Sequence, residues 1–260
     1  MRMGIIGCGA IGSFIAREID EGQVENVELV ALFDIDLAKA KELASNLKKE
    51  VRICKDFEDF LNTPIDLVLE AASQEAVKSH AFKIIESGRD LIVMSAGALA
   101  DDDFREKLFA FVRRTSRKLY VPSGAVAGLD GLKAFSNVKI YKASLVTRKP
   151  PSGIGAGGDV PVVLFEGPAK EAAKKFPQNI NVAIALGLAG DMLEKLTVKI
   201  LSDPGVTVNE HHIEVESEAG ELKVILRNRP FPHNPRTSFL AALSCLEMVK
   251  NIGRNIIIGG

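Results

Sequence analysis

The chain has no tryptophan, only three cysteines, and no uninterrupted apolar run of the ~18 to 20 residues that a membrane span needs. Each scarcity excludes something. Cys8, Cys54 and Cys245 are odd in number and far apart, which argues against a disulfide framework and any zinc spacing and suits a reducing cytoplasm. An excess of charge of one sign is missing too. With 33 basic residues against 34 acidic ones, there is no electrostatic footprint for nucleic acid or an anionic membrane surface. Met1-Arg2-Met3 runs directly into a strand-like segment, so no signal peptide is expected. Glutamine is scarce, and three Gln set against many Lys and Glu make a composition that suits a thermophile. What remains is a chain of 260 residues, 47% hydrophobic, able to bury one large core or two modest ones and suited to small-molecule chemistry.

Short apolar runs alternate with amphipathic ones from the start. Met3-Gly7, Val27-Asp34, Val51-Cys54, Ile65-Ala72, Asp90-Gly97 and Lys118-Pro122 read as strands. Ala10-Ile19, Leu37-Leu47, Glu75-Ser87 and Asp102-Ser116 have helical spacing. Leu67-Val68-Leu69 and Leu91-Ile92-Val93 are continuous apolar runs, as strands buried on both faces should be, so a parallel sheet covered by helices is expected. After about residue 124 the pattern changes. Val138-Arg148, Thr197-Ser202, Val206-Ser217 and Glu221-Asn228 read as strands, the last two as a hairpin around Glu218-Ala219-Gly220. Ala169-Phe176 and Asn181-Leu188 read as helices, and Pro150-Gly158 as a loop too rich in Gly and Pro for regular structure. Thr237-Ser238 introduce a last helix over Phe239-Val249, with Gly253 as its stop.

Gly7-Cys8-Gly9-Ala10-Ile11-Gly12 follows a strand and opens a helix, the context that a G-x-G-x-x-G fingerprint requires. The first glycine permits the tight turn, the second lets a pyrophosphate approach the backbone, and the third lets helix and strand pack closely. The phosphates then meet the N-H groups and dipole of the helix N-terminus, to which Ala10 and Ile11 belong. Asp34, 22 residues after Gly12, can accept from ribose hydroxyls and would repel a 2′-phosphate, which favours NAD over NADP. Asp36 competes for that role, or caps the helix that starts at Leu37. Ala71-Ala72-Ser73-Gln74, Ser95-Ala96-Gly97-Ala98 and Ser123-Gly124-Ala125 should line the same crevice beyond the strand ends; the plainer reading is ordinary strand-to-helix turns.

Two of the four histidines stand side by side, in Asn209-Glu210-His211-His212-Ile213-Glu214. Strand alternation places His211 with Asn209, Ile213 and Val215, and His212 with Glu210, Glu214 and Glu216, so His211 should point inward and His212 to water. That separation disfavours a metal pair and fits a single general acid/base, or else a hydrogen-bonded structural histidine. His80 falls on a helix and His233 in the loop Arg229-Pro235, where solvation is the default.

In this order, Glu70-Val77, Val121-Asp130, Thr147-Pro151, Lys175-Ala183, Asp203-Pro204, Asn209-His211 and Asn234-Ser238 together resemble the L-aspartate dehydrogenase family. The resemblance implies oxidation of L-aspartate by NAD, with NADP also accepted, to iminoaspartate, which hydrolyses to oxaloacetate and ammonia or feeds pyridine-nucleotide synthesis. It puts the catalytic histidine on His211, with His212 where the family has glutamate. It puts cofactor contacts on Ala125 and on an Asn of the Asn179/Asn181 pair, Asn181 being preferred. It also implies a homodimer. Two substrate carboxylates need cationic or N-H donors, for which Lys149, Arg148, Arg236, Asn209, Asn234, Thr237 and Ser238 are the candidates; Thr237 and Ser238 also suit helix capping.

The expected architecture is an α/β chain. A Rossmann-type doubly wound parallel sheet occupies residues 1–124, an α+β substrate and dimerisation domain with an antiparallel sheet occupies 125–233, and a C-terminal helix in 234–260 returns to the first domain. The rival readings are a two-domain reductase of a dihydrodipicolinate- or homoserine-like substrate and a non-catalytic NAD-binding redox sensor.

Overall fold

The computed structural model describes residues 1–154, 159–176, 180–232, 234–256 and 258, apart from the side chains of Pro235 and Arg236. The chain divides into two compact units, Met1–Pro122 with Cys245–Ile257, and Ser123–Ser244 with Ile258–Gly260.

The first unit runs β1 (Arg2–Ile6), α1 (Ala10–Asp20), β2 (Glu28–Phe33), α2 (Leu37–Ser45), β3 (Arg52–Ile53), α3 (Phe57–Leu61), β4 (Leu67–Glu70), α4 (Gln74–Glu86), β5 (Asp90–Val93), a 3-10 turn (Ala96–Ala100), α5 (Asp102–Arg113) and β6 (Leu119–Tyr120). Its six strands are ordered β3-β2-β1-β4-β5-β6, all pairs parallel, so the strand order reverses between β1 and β4. Such a reversal opens a crevice beyond the carboxyl ends of the strands, where ligands of this architecture bind. Leu67, Val68, Leu69, Leu91, Ile92 and Val93 are all buried, because both faces of the sheet are covered. On α1 the buried positions Gly12, Ile15, Ala16 and Ile19 form one stripe. They share a core with Met3, Ile5, Leu32 and Leu69, and with Cys245 and Val249 from the chain's C-terminal helix. Burying one such aliphatic side chain is worth about 1.5–3 kcal/mol. The expected strand Asp90-Gly97 ends early, at Val93, and its tail instead winds into the 3-10 turn. α3 has only five residues, too few for a helical period to be read.

The second unit runs α6 (Leu129–Phe135), β7 (Ile140–Lys149), α7 (Pro151–Ile154), β8 (Val162–Pro168), α8 (Ala169–Lys175), α9 (Asn181–Ala189), β9 (Leu196–Ser202), β10 (Asn209–Ser217), β11 (Gly220–Asn228), β12 (Pro230–Phe231), β13 (Asn234–Ser238) and α10 (Phe239–Ile252), whose later residues belong to the first unit. The sheet order is β11-β10-β7-β9-β8. β10 and β11 form the expected hairpin, with Ser217 opposite Gly220. Three of its four strand pairs are antiparallel, as expected, and the fourth, β7 with β9, is parallel, so the sheet is mixed. The chain from β7 to β9 passes through two helices, α8 and α9, which gives the length a parallel crossover needs.

Two segments expected to be irregular are ordered. Pro151–Ile154 forms a helical turn, started by a proline whose fixed φ suits a first helical position. Gly155 to Gly158 lie outside the described residues. Pro230–Phe231 and Asn234–Ser238 pair as a small hairpin, with Pro230 first in its strand, where a missing N-H is tolerated. His233 lies outside the described residues.

Candidate functional site

The glycine turn joins β1 to α1. Gly7 has φ +96, and a Cβ there would sit 2.6 Å from the carbonyl oxygen of Ala71. A Cβ on Gly12 would sit 1.9 Å from the carbonyl oxygen of Gly7, so only glycine lets helix and strand approach this closely. At Gly9 the space is open, with nothing within 4 Å of a Cβ. Gly9 is also the N-cap of α1, and no side chain caps the helix there. An uncapped helix start, entered over open space, fits the pyrophosphate of a dinucleotide. Asp34, just past β2, accepts the N-H of Cys8 at 2.7 Å and that of Asp36 at 2.8 Å. Asp36 accepts from Ala38 at 3.1 Å as the N-cap of α2, so its carboxylate is engaged in capping.

Beyond the strand ends, Glu70 organises the neighbouring turns. Its carboxylate accepts the N-H groups of Ala72 at 2.8 Å, Ser73 at 2.9 Å and Ser95 at 3.0 Å, and the Ser95 hydroxyl at 2.8 Å. Burial pushes the Glu70 carboxyl above its ordinary range, and the donors from Ser95, Ala72 and Ser73 oppose that rise. The amides of Ala72 and Ser73 are therefore turned toward Glu70, and the Ser73 hydroxyl accepts from Ala76 as the N-cap of α4. What these two residues can offer a ligand is a carbonyl oxygen or the Ser73 O-H. Sequence reasoning missed Glu70, although an acid closing an apolar strand run is a visible signal.

In the second unit, the end of β7 and the start of β10 bring several candidates together. His211 is directly opposite Thr147, and Lys149, two residues on, shares their face. His211 is 5% exposed, Thr147 2% and Lys149 8%. The His211 Nδ1 and Thr147 Oγ1 lie 3.0 Å apart. Burial, then the charge of Lys149, then His212 lower the imidazole pKa to about 4, so the ring is neutral near pH 7. Burial also lowers the Lys149 ammonium from its ordinary value. Asn209 reaches Ser238 at 3.5 Å, which links β10 to the residue before α10. Thr237 and Asn234 are half-buried in β13.

The other face of β10 departs from the expectation of a solvated, charged surface. Glu210 is buried among Arg148 at 3.2 Å, Arg227 at 3.0 Å and His212 at 3.1 Å. Desolvation acts to raise the Glu210 carboxyl, but hydrogen bonds from His212 and Arg227 and the charges of both arginines hold it below its usual range. Arg148 also pairs with the buried Asp203 at 2.6 Å. Arg148 is thus a clamp between β10 and the end of β9, and its guanidinium is engaged by two acids. Ala125 is buried, with its carbonyl accepting from Asn228 at 2.8 Å; Asn181 is exposed as the first residue of α9, and Asn179 lies outside the described residues. His80 stacks on Phe57 with ring centroids 3.8 Å apart, a packing role. Burial raises the thiol of Cys8 to about 12 and lifts those of Cys54 and Cys245, which makes all three poor nucleophiles. Among the described residues, no cluster of three or more His, Cys, Asp or Glu is arranged to hold a metal ion, and no helix is long and apolar enough to cross a membrane.

Comparison with known proteins agrees with both halves. Residues 7–122 match the family described as homoserine dehydrogenase, NAD binding domain, and residues 130–252 match aspartate dehydrogenase, C-terminal. The L-aspartate dehydrogenase of Methanosarcina barkeri is 43% identical, with 100% of this chain and 99% of the relative covered. That of Methanothermobacter thermautotrophicus is 44% identical over 100% of this chain and 98% of the relative. The chain belongs to the L-aspartate dehydrogenase family. A crystal structure of aspartate dehydrogenase from Thermotoga maritima superposes with a TM-score of 0.80 at 30% identity, covering 100% of this chain and 99% of that one. Family membership makes the first unit a nicotinamide-dinucleotide domain of Rossmann type, with the glycine turn at its switch point.

Proposed function

We propose that the protein oxidises L-aspartate with NAD, NADP being the poorer cofactor, to iminoaspartate, which hydrolyses to oxaloacetate and ammonia. The observation that carries this reading is kinship over the whole chain with L-aspartate dehydrogenases at 43–44% identity. The nicotinamide, when bound, accepts the hydride from the substrate Cα. Gly9, Ala10 and Ile11 hold the pyrophosphate on the turn that Gly7 and Gly12 make possible, Asp34 takes the ribose hydroxyls, and Ala72 and Ser73 bound the nicotinamide end, while Ala125 and Asn181 are the cofactor contacts that the family resemblance implies.

Loss of hydride from Cα requires a neutral amine. His211, neutral at working pH, takes the proton from the substrate ammonium through Nε2 or activates the water that hydrolyses the imine. The Lys149 ammonium receives one substrate carboxylate, and Asn209, Asn234, Thr237 and Ser238 supply polar contacts for the other. Arrival of the substrate carboxylates beside Lys149 offsets the positive charge that depresses His211, so substrate binding raises the basicity of the ring. The chain works as a homodimer in the cytoplasm, and the oxidation supplies a precursor for pyridine-nucleotide synthesis.

The test is NADH formation by purified protein with NAD and a panel of amino acids. Signal with aspartate alone supports the reading; signal with another substrate, or binding without turnover, overturns it. His211→Ala should reduce turnover about 100-fold or more while NADH binding stays within a few-fold, and unchanged turnover removes the catalytic role from His211.

A further inference from the structure

Sequence reasoning singled out His211 but no residue to orient it. An imidazole has two distinct nitrogens, and the hydrogen bond at one decides which proton chemistry the other performs. In β10 and β7 the register sets His211 directly across from Thr147, on the same sheet face as Lys149. The Nδ1 of the ring meets Thr147 Oγ1 at 3.0 Å, both residues being buried. Threonine is branched at Cβ and stiff at χ1, so this hydroxyl is held by the strand itself.

We infer that Thr147 is the positioning residue for His211: its hydroxyl oxygen accepts the Nδ1 proton and leaves Nε2 as the proton acceptor. This rests on the reading of His211 as the catalytic base. A hydroxyl oxygen accepts from Nδ1-H both when the ring is neutral and when it is imidazolium, so the contact survives proton uptake at Nε2 without rearrangement. A carboxylate at this place would hold the ring positively charged near neutral pH. A hydroxyl instead accepts from Nδ1-H while leaving the ring neutral, as a base waiting for a substrate ammonium must be. In its absence the buried Nδ1-H has no acceptor at this position, and the tautomer with the proton on Nε2, which cannot accept a proton there, gains ground.

The test combines two variants of Thr147 with one of His211. Thr147→Val, close to isosteric, should lower kcat about 10- to 100-fold with NADH affinity within about 2-fold, and Thr147→Ser should recover kcat to within about 3-fold of wild type. In a His211→Ala background, Thr147→Val should cost no further turnover, because its effect passes through the ring. Wild-type kcat in Thr147→Val while His211→Ala is impaired overturns the inference and leaves the His211 reading standing. An equal loss from Thr147→Val in both backgrounds also overturns it, since the residue would then act through the fold. Unchanged turnover in His211→Ala overturns both readings. Should Thr147→Val not fold, the 15N shifts of the His211 ring in the wild-type protein decide the matter. A proton on Nδ1 at neutral pH is expected, and a proton on Nε2 overturns the assignment.

Discussion

The carboxylate of Asp34 accepts the backbone N-H of Cys8 at 2.7 Å, which ties the end of β2 to the glycine turn after β1. The acid that would select the ribose also holds the turn that would hold the pyrophosphate. Asp34→Ala removes both functions. Hydrogen bonds to a charged partner contribute about 1.5–3 kcal/mol, so NADH affinity should fall roughly 10- to 100-fold. NADPH affinity should fall less, because the repulsion of its 2′-phosphate disappears as well. Fluorescence titration with both cofactors checks this, and an unaltered NADH/NADPH ratio denies Asp34 the selective role.

Gly9 and Gly12 separate cofactor binding from folding. A Cβ at Gly9 meets nothing within 4 Å, so Gly9→Ala should leave the melting temperature nearly unchanged and lower NADH affinity about 10-fold or more, by filling the space a phosphate needs. At Gly12 the new atom would lie 1.9 Å from the Gly7 carbonyl oxygen. Gly12→Ala should therefore cost at least about 1–3 kcal/mol of stability. Thermal denaturation with and without NADH distinguishes the two, and a Gly9→Ala protein that binds NADH normally contradicts the proposed cradle.

The same contrast marks what could be read in the sequence. The parallel sheet was legible because Leu67-Val68-Leu69 and Leu91-Ile92-Val93 need cover on both faces and because the glycine fingerprint has local geometry. Burial of His211 was legible through strand alternation. Burial of Glu210 was not: alternation puts it on a charged face, and only pairing with β7 and β11 brings Arg148 and Arg227 over it. Thr147 and Glu70 act through partners 64 and 25 residues away, a separation that no local pattern encodes. The parallel β7–β9 pair was hidden for the same reason, since strand direction depends on the route of the crossover.

Lys149 and His211 make a prediction about pH. The folded ring titrates at about 4 against 6.5 for the ordinary imidazole, because burial and the Lys149 charge disfavour the imidazolium. Between these values the unfolded chain binds more protons than the folded one, so stability falls as pH drops from about 6.5 to 4, by about 3 kcal/mol from this group alone. Denaturant melts across that window should show the slope, and His211→Ala should flatten it. Lys149→Met removes the second of the two main causes, so the ring should titrate higher in an NMR titration. In the kinetics, the acid limb of kcat should lie above that of kcat/KM, because bound substrate carboxylates stabilise the imidazolium. Coincident limbs would separate Lys149 from the substrate.

Glu70 tests whether the turns beyond the strands matter to the chemistry or only to the fold. Its carboxylate takes two donors from the turn after β4 and two from Ser95 after β5. Glu70→Gln puts an amide N-H2 where an oxygen accepted, leaving at least one buried donor without a partner at a cost of about 1–3 kcal/mol. A drop of several degrees in Tm is therefore expected. Ala72 and Ser73 are proposed to bound the nicotinamide end, whereas the pyrophosphate sits on the glycine turn. Relaxed turns should then lower kcat about 10-fold while the KM for NAD changes less than about 3-fold. Ser95→Ala removes the Ser95 hydroxyl's hydrogen bond to Glu70 and should produce a smaller loss of the same kind. A fall in Tm with kcat intact would make Glu70 a buried strut of the fold and nothing more.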